Sequence, residues 1–158
     1  MNTKLIQRKS FVNKVLRSFS GVIIMRILLT MFVFVMISLK LFGEPLAGVY
    51  KTMPSKTTGG WAYVKFGACK ENKVHTCGTL IKAFAKDGKA IEKYEHKGKY
   101  VVWNMIKEGN KNFSGGKIKD YSDGKVYNSK MEIISKNKLN VSGCVLFICQ
   151  TQEWIKVK

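Results

Sequence analysis

Past Arg26 the chain contains no arginine, and every later cation is a lysine. Nucleic-acid sites recruit arginine for its planar, bidentate fork. The lysines here are spread evenly from Lys51 to Lys158 rather than gathered in a basic run, which weighs against a nucleic-acid partner. Histidine is nearly absent: His75 and His96 stand alone, without the neighbouring ligands a metal site needs. No G-x-S-x-G elbow, P-loop or dinucleotide fingerprint occurs. Glu92 and Glu95 are close together, but Lys89, Lys93, Lys97 and Lys99 surround them, as on a solvated loop of mixed charge. Repeats and low-complexity segments are missing as well. These absences lead us to expect a binding protein rather than an enzyme, with no catalytic residue, no metal and no cofactor.

A long apolar run is also lacking. The charge-free stretch Ile27–Leu39 has 13 residues, against about 20 for a helix that crosses a bilayer. With Arg26 before it, Lys40 after it and small residues at Gly43 and Ala47, it reads as a secretory signal. Residues 1–43 are thus a basic leader and signal peptide, and the working protein is periplasmic or secreted. The alternative is a membrane anchor over residues 21–43. It places Arg26 inside the span, at a cost of about 2.5–3.5 kcal/mol, although Lys40 can snorkel to the interface. Lys4, Arg8, Lys9, Lys14 and Arg17 make the leader long, and a start at Met25 gives a signal of ordinary proportions.

Residues 44–158 then form a single domain of 115 residues, enough for one modest core. Seven of the 28 cations leave with the leader and all ten acids stay, so the domain carries twenty-one lysines and a net charge of +11. Such a charge either only solvates the surface or attracts anionic envelope lipid or polymer.

The four cysteines form two close pairs, Cys69 with Cys77 and Cys144 with Cys149, bracketing the turn-like segments KENKVHT and VLFI. In an exported chain an even count favours disulfides. Local closure of each pair is the simplest of the three connectivities, each loop contributing about 2–2.6 kcal/mol by chain entropy. Zinc is the rival, but structural sites space their thiols more closely.

Eight segments rich in Val, Ile, Tyr, Trp and Thr follow Glu44: Gly48–Met53, Gly60–Phe66, His75–Phe84, Lys99–Ile106, Asn112–Lys119, Lys125–Ile134, Lys138–Val145 and Phe147–Val157. Turn residues separate them, as in an antiparallel sandwich or up-and-down barrel. Leu139, Val141, Gly143 and Val145 share one face, with Lys138, Asn140, Ser142 and Cys144 opposite; Tyr127, Met131 and Ile133 likewise oppose Asn128, Lys130 and Glu132. One face of each strand is therefore buried. Only Ala83–Tyr94 has any helical character, interrupted by Asp87-Gly88. The segment from Asp120 to Gly124 lacks the alternating ligands of a calcium loop and reads as a hairpin turn.

The order of short motifs resembles a bacterial exported family, domain of unknown function 2147. The residues that carry the likeness are Gly48-Val49-Tyr50, Cys77-Gly78, the hairpin from Phe113 to Tyr127 with Gly115, Gly116, Ile118, Asp120, Gly124, Lys125 and Tyr127, and the closing Gln150-Thr151-Gln152-Glu153-Trp154. Tyr50 and Phe113 stand where that family carries tryptophan, Lys119 where it has tyrosine, and Tyr121 where it has proline. The resemblance implies a small lipocalin-like β-barrel. An eight-stranded barrel has room for packed side chains or one small ligand. The expected function is to hold a small hydrophobic or amphipathic ligand, with Tyr50, Trp61, Trp103 and Trp154 as candidate lining residues. The alternative is contact with anionic envelope lipid or polymer through the lysines.

If the leader is removed on export, N-terminal sequencing of protein from the cell envelope will begin between Glu44 and Gly48. An intact Met1 or Met25 on membrane-bound protein establishes the anchor instead.

Overall fold

Alternation of apolar and polar residues at period two, broken by Gly, Asp and Asn, produces eight strands in the computed structural model, which describes residues 43–158. The leader, the signal or anchor and the Met25 start fall outside the described residues, except for Gly43. The strands are β1 (Gly48–Lys51), β2 (Trp61–Ala68), β3 (Thr76–Phe84), β4 (Tyr100–Glu108), β5 (Asn112–Lys119), β6 (Val126–Ser135), β7 (Lys138–Val145) and β8 (Ile148–Lys156). Each pairs antiparallel with the next, and β8 returns to β1, closing a barrel. A sandwich is thereby excluded. No helix occurs among the described residues. Ala83 and Phe84 finish β3, and Ala90 bridges back to Phe84. The Asp87 carboxylate accepts the Lys89 amide at 3.0 Å, favouring a turn where the sequence had hinted at a helix.

Meander connectivity sorts the connections into two ends. Those joining β1–β2, β3–β4, β5–β6 and β7–β8 lie at the upper end; the others lie at the lower end with residues 43–47 and the C-terminus. The lower end is plugged. Leu46 packs against the core, its amide donating to Thr76 Oγ1 at 3.0 Å. Lys107 Nζ donates to the Glu44 carbonyl at 3.3 Å. Above this plug Tyr50, Val64, Phe66, Leu80, Val102, Met105, Phe113, Met131, Leu139, Val141 and Trp154 form one core cluster.

The alternation read along β7 holds for Leu139 and Val141 but fails above them. Cys144, on the face read as polar, is buried by its disulfide, while Val145 is 58% exposed at the rim.

Irregular register bends the sheet shut. Ile81 is extra on β3 between the pairs Tyr63–Lys82 and Val64–Leu80. Asn104 on β4 (φ 57°) and Gly115 on β5 (φ 71°) both adopt the left-handed conformation in the facing stretch of two paired strands. Beside them, a Cβ on Gly116 would meet Met105 Sδ and lie 2.5 Å from the Trp103 carbonyl oxygen. The Gly-Gly pair therefore serves two needs: backbone sign at Gly115 and close approach at Gly116. Gly116→Ala should lower stability by about 1–3 kcal/mol, the usual cost of overpacking. Denaturant titration checks this, and an unchanged midpoint would show that both Met105 and the β4 backbone at Trp103 have room to retreat.

Candidate functional site

Closure between β1 and β8 is short. Only Tyr50–Lys156 and Lys51–Ile155 pair across it. The backbone bonds that extend it, from the Val49 amide to the Lys158 carbonyl (2.9 Å) and from the Val157 amide to the Val49 carbonyl (2.8 Å), lie toward the lower end. Among the described residues, Ile148–Trp154 therefore carries no strand on its β1 side, although β7 pairs with it along its whole length. The barrel wall is open there.

That opening exposes side chains that belong to the inner face. Trp154 is a core residue, and its Nε1 donates to Gln152 Oε1 at 3.1 Å, so Gln152 points the same way. Gln150 follows by alternation and pairs with Gly143. Both glutamines are nonetheless exposed. Below them, Tyr50 meets Phe66 edge-on at 5.5 Å, and Phe66 lies 6.0 Å from Trp154. These three rings pack together beneath the glutamines, each at most 4% exposed. Val141 continues the wall, with Ile118 and Tyr127 covering Gly143. Ser129 Oγ is buried on the same wall, between the partners Gly116 and Gly143, and has no hydrogen-bond partner among the described residues. The arrangement suits an apolar body lying on aromatic rings, with amide groups at the rim for a polar end. It presents no nucleophile–base pair.

Trp61 and Trp103 stand elsewhere. Alternation along β2 places Trp61 opposite the core residues Val64 and Phe66. It stacks on Phe84 at 3.8 Å, with Lys51 Nζ 4.1 Å from its ring centre. Trp103 pairs with the exposed Lys117 on the outer face of β4 and β5. Only Tyr50 and Trp154 of the four aromatics come together inside. The residues missed from sequence were Gln150 and Gln152, although the spacing Gln150, Gln152, Trp154 already put them on one face.

The family-motif residues mostly build backbone. Gly115 and Gly116 shape the bulge, and Ile118 forms inner wall. Asp120 Oδ1 accepts the Ser122 amide at 2.8 Å, and its own amide donates to the Lys125 carbonyl at 2.9 Å. Asp123 accepts the Lys125 amide and the Tyr127 hydroxyl, both at 2.8 Å. These bonds hold its carboxyl below the ordinary value, the Lys125 amide contributing most. Gly124, with φ 73°, completes the turn. Cys69 is joined to Cys77 and Cys144 to Cys149, and no free cysteine remains among the described residues.

On the far side of the upper end the β3–β4 connection folds inward. His96 stacks on Tyr121 at 4.1 Å, Tyr94 meets His96 edge-on at 5.3 Å, and Tyr121 Oη donates to the Tyr100 carbonyl at 2.9 Å. Burial raises the phenol pKa values of Tyr50, Tyr94 and Tyr121. Nearby Glu95 and Asp120 add to the effect at Tyr94.

Residues 48–156 match the family described as an uncharacterized protein conserved in bacteria, domain of unknown function 2147, and the chain belongs to that family. Among solved structures it is similar to a protein of the human pathogen Helicobacter pylori that is described as belonging to the lipocalin family. That likeness has a TM-score of 0.56 and 18% identity over 73% of this chain and 85% of the other. It shows the fold. No curated protein matches the chain.

The raised phenols make stability pH-dependent. At pH below the ordinary tyrosine value of 10.0 the phenols are neutral in both states and stability is complete. Above it the unfolded chain ionises first, so stability falls as pH rises through the folded-state values. Denaturation midpoints followed alongside phenolate absorbance should show this loss. Tyr50→Phe should remove part of it.

Proposed function

We propose that this chain is an exported, non-catalytic binding protein whose barrel holds a small apolar or amphipathic molecule, admitted through the opening between β1 and β8. One observation carries the reading: Gln150 and Gln152 face inward yet are exposed, directly above the Tyr50, Phe66 and Trp154 rings. A barrel filled by its own side chains has no use for solvent-exposed inner positions. Two disulfides and a family conserved in bacteria support work outside the cytoplasm. We accordingly keep residues 1–43 as leader and 44–158 as the working domain.

The ligand class follows from the wall. Tyr50, Phe66, Val141 and Trp154, each at most 4% exposed, close the barrel beneath the glutamines with apolar and aromatic side chains, and the glutamine amides offer both donors and acceptors. The inner positions named carry no charge. The preferred ligand is therefore an uncharged or weakly polar amphiphile, apolar end down. Tyr50 and Trp154 are proposed as its floor.

A solvatochromic hydrophobic dye should bind with an affinity almost unchanged between about 0.01 M and 0.15 M salt, because apolar burial is not screened as charge contact is. Gln152→Trp, which fills the exposed position above Trp154, should weaken uptake at least about tenfold, the equivalent of 1.4 kcal/mol. Trp103→Ala, on the outer face, should leave uptake unchanged. Dye binding that follows salt, or that survives Gln152→Trp, would overturn the assignment.

A further inference from the structure

The connection between β7 and β8 has the wrong chemistry for a hairpin turn. Two residues span it, Leu146 and Phe147, and Leu146 adopts φ 53°, a conformation that two-residue turns ordinarily give to Gly, Asn or Asp. With their neighbours they form four consecutive exposed apolar side chains: Val145 at 58%, Leu146 at 84%, Phe147 at 89% and Ile148 at 71%. None belongs to the core cluster. The Cys144–Cys149 disulfide joins the rung directly beneath the tip. Isolated exposed hydrophobes are ordinary, but a contiguous patch marks a contact. Strained, stapled and without a packing partner among the described residues, this segment is a preformed apolar finger at the upper end, beside the opening in the barrel.

We propose that the finger inserts into the interface of an anionic lipid bilayer and docks the upper end of the barrel against the membrane. The charge of the domain selects a bilayer over a protein groove. Residues 44–158 carry a net +11, and every fixed positive charge in them is a lysine, whose apolar stem and terminal charge suit the boundary between acyl chains and headgroups. Nine of the lysines, from Lys51 to Lys125, lie on or next to the upper-end connections, against five acids, a local excess of +4. The acids there are Asp87, Glu92, Glu95, Asp120 and Asp123. Val126, 50% exposed at the start of the neighbouring β6, widens the apolar tip. A convex tip with no polar side chain suits acyl chains, which ask for no hydrogen bonds. One short apolar insertion plus diffuse charge gives reversible attachment, since stable anchoring takes two stronger signals. The finger stands outside the barrel interior, so this inference does not depend on what the barrel holds.

Phe147→Trp in the full chain reports on the tip itself, above the background of Trp61, Trp103 and Trp154. The probes are vesicles of phosphatidylglycerol and phosphatidylethanolamine, vesicles of phosphatidylcholine alone, and both with brominated acyl chains. The emission added by the new tryptophan should shift to the blue and be quenched by brominated chains in the anionic vesicles. Raising salt from about 0.01 M to 0.15 M should weaken that signal at least about tenfold. Added emission that stays red and unquenched overturns the proposal, whether or not the protein co-sediments with lipid. Equal quenching in neutral vesicles, unaffected by salt, overturns the choice of an anionic surface. A blue shift that grows with protein concentration without lipid, together with a dimer in sedimentation, assigns the finger to a second copy instead.

Discussion

Closure of the sheet is the constraint on which the rest of this structure depends. An eight-stranded meander leaves the first and last strands as free edges unless they meet, and here they meet over two paired residues. Four-residue β1 is too short to accompany nine-residue β8. The seam holds at the lower end, where the bonds of Val49 to the C-terminal backbone reinforce it, and parts toward the upper end. A longer β1 would seal the wall and bury Gln150 and Gln152 with it. The same economy that closes the barrel at one end thus leaves it open at the other.

Packing and opening are linked through the bulges. A flat meander of eight strands does not close; twist has to be added locally. Ile81 on β3 and the facing left-handed residues Asn104 and Gly115 on β4 and β5 supply it. Gly116 lets Met105 and the β4 backbone approach closely. The conspicuous Gly-Gly motif is therefore an instruction about curvature. The Asp120–Tyr127 hairpin next to it is held by its own side-chain bonds, so these residues have a structural role that needs no ligand.

Much of the fold was legible in the residues. β5 and β7 occupy the segments that their composition and bounding turn residues indicated, and the other strands differ by a few residues at their ends, where pairing rather than pattern decides. The site was half legible. Tyr50 and Trp154 reach the interior because regular alternation extends to them from the core. Aromatic character alone could not separate them from Trp61 and Trp103. Those two sit at outward positions of β2 and β4, and only the register distinguishes a ring inside the barrel from a ring on its wall. The opening was illegible, since it comes from a strand that stops early. The finger was visible as VLFI between two cysteines, but four apolar residues there first read as an ordinary turn.

The central claim is that the space above the Tyr50, Phe66 and Trp154 rings takes up an apolar or amphipathic molecule. Native mass spectrometry of the protein isolated from its own cell envelope, without detergent exchange, tests this most directly. The account predicts a discrete added mass that solvent extraction removes and that a Gln152→Trp variant isolated in the same way lacks. A bare-chain mass for the folded native protein, unchanged after incubation with extracted envelope lipids, would contradict it.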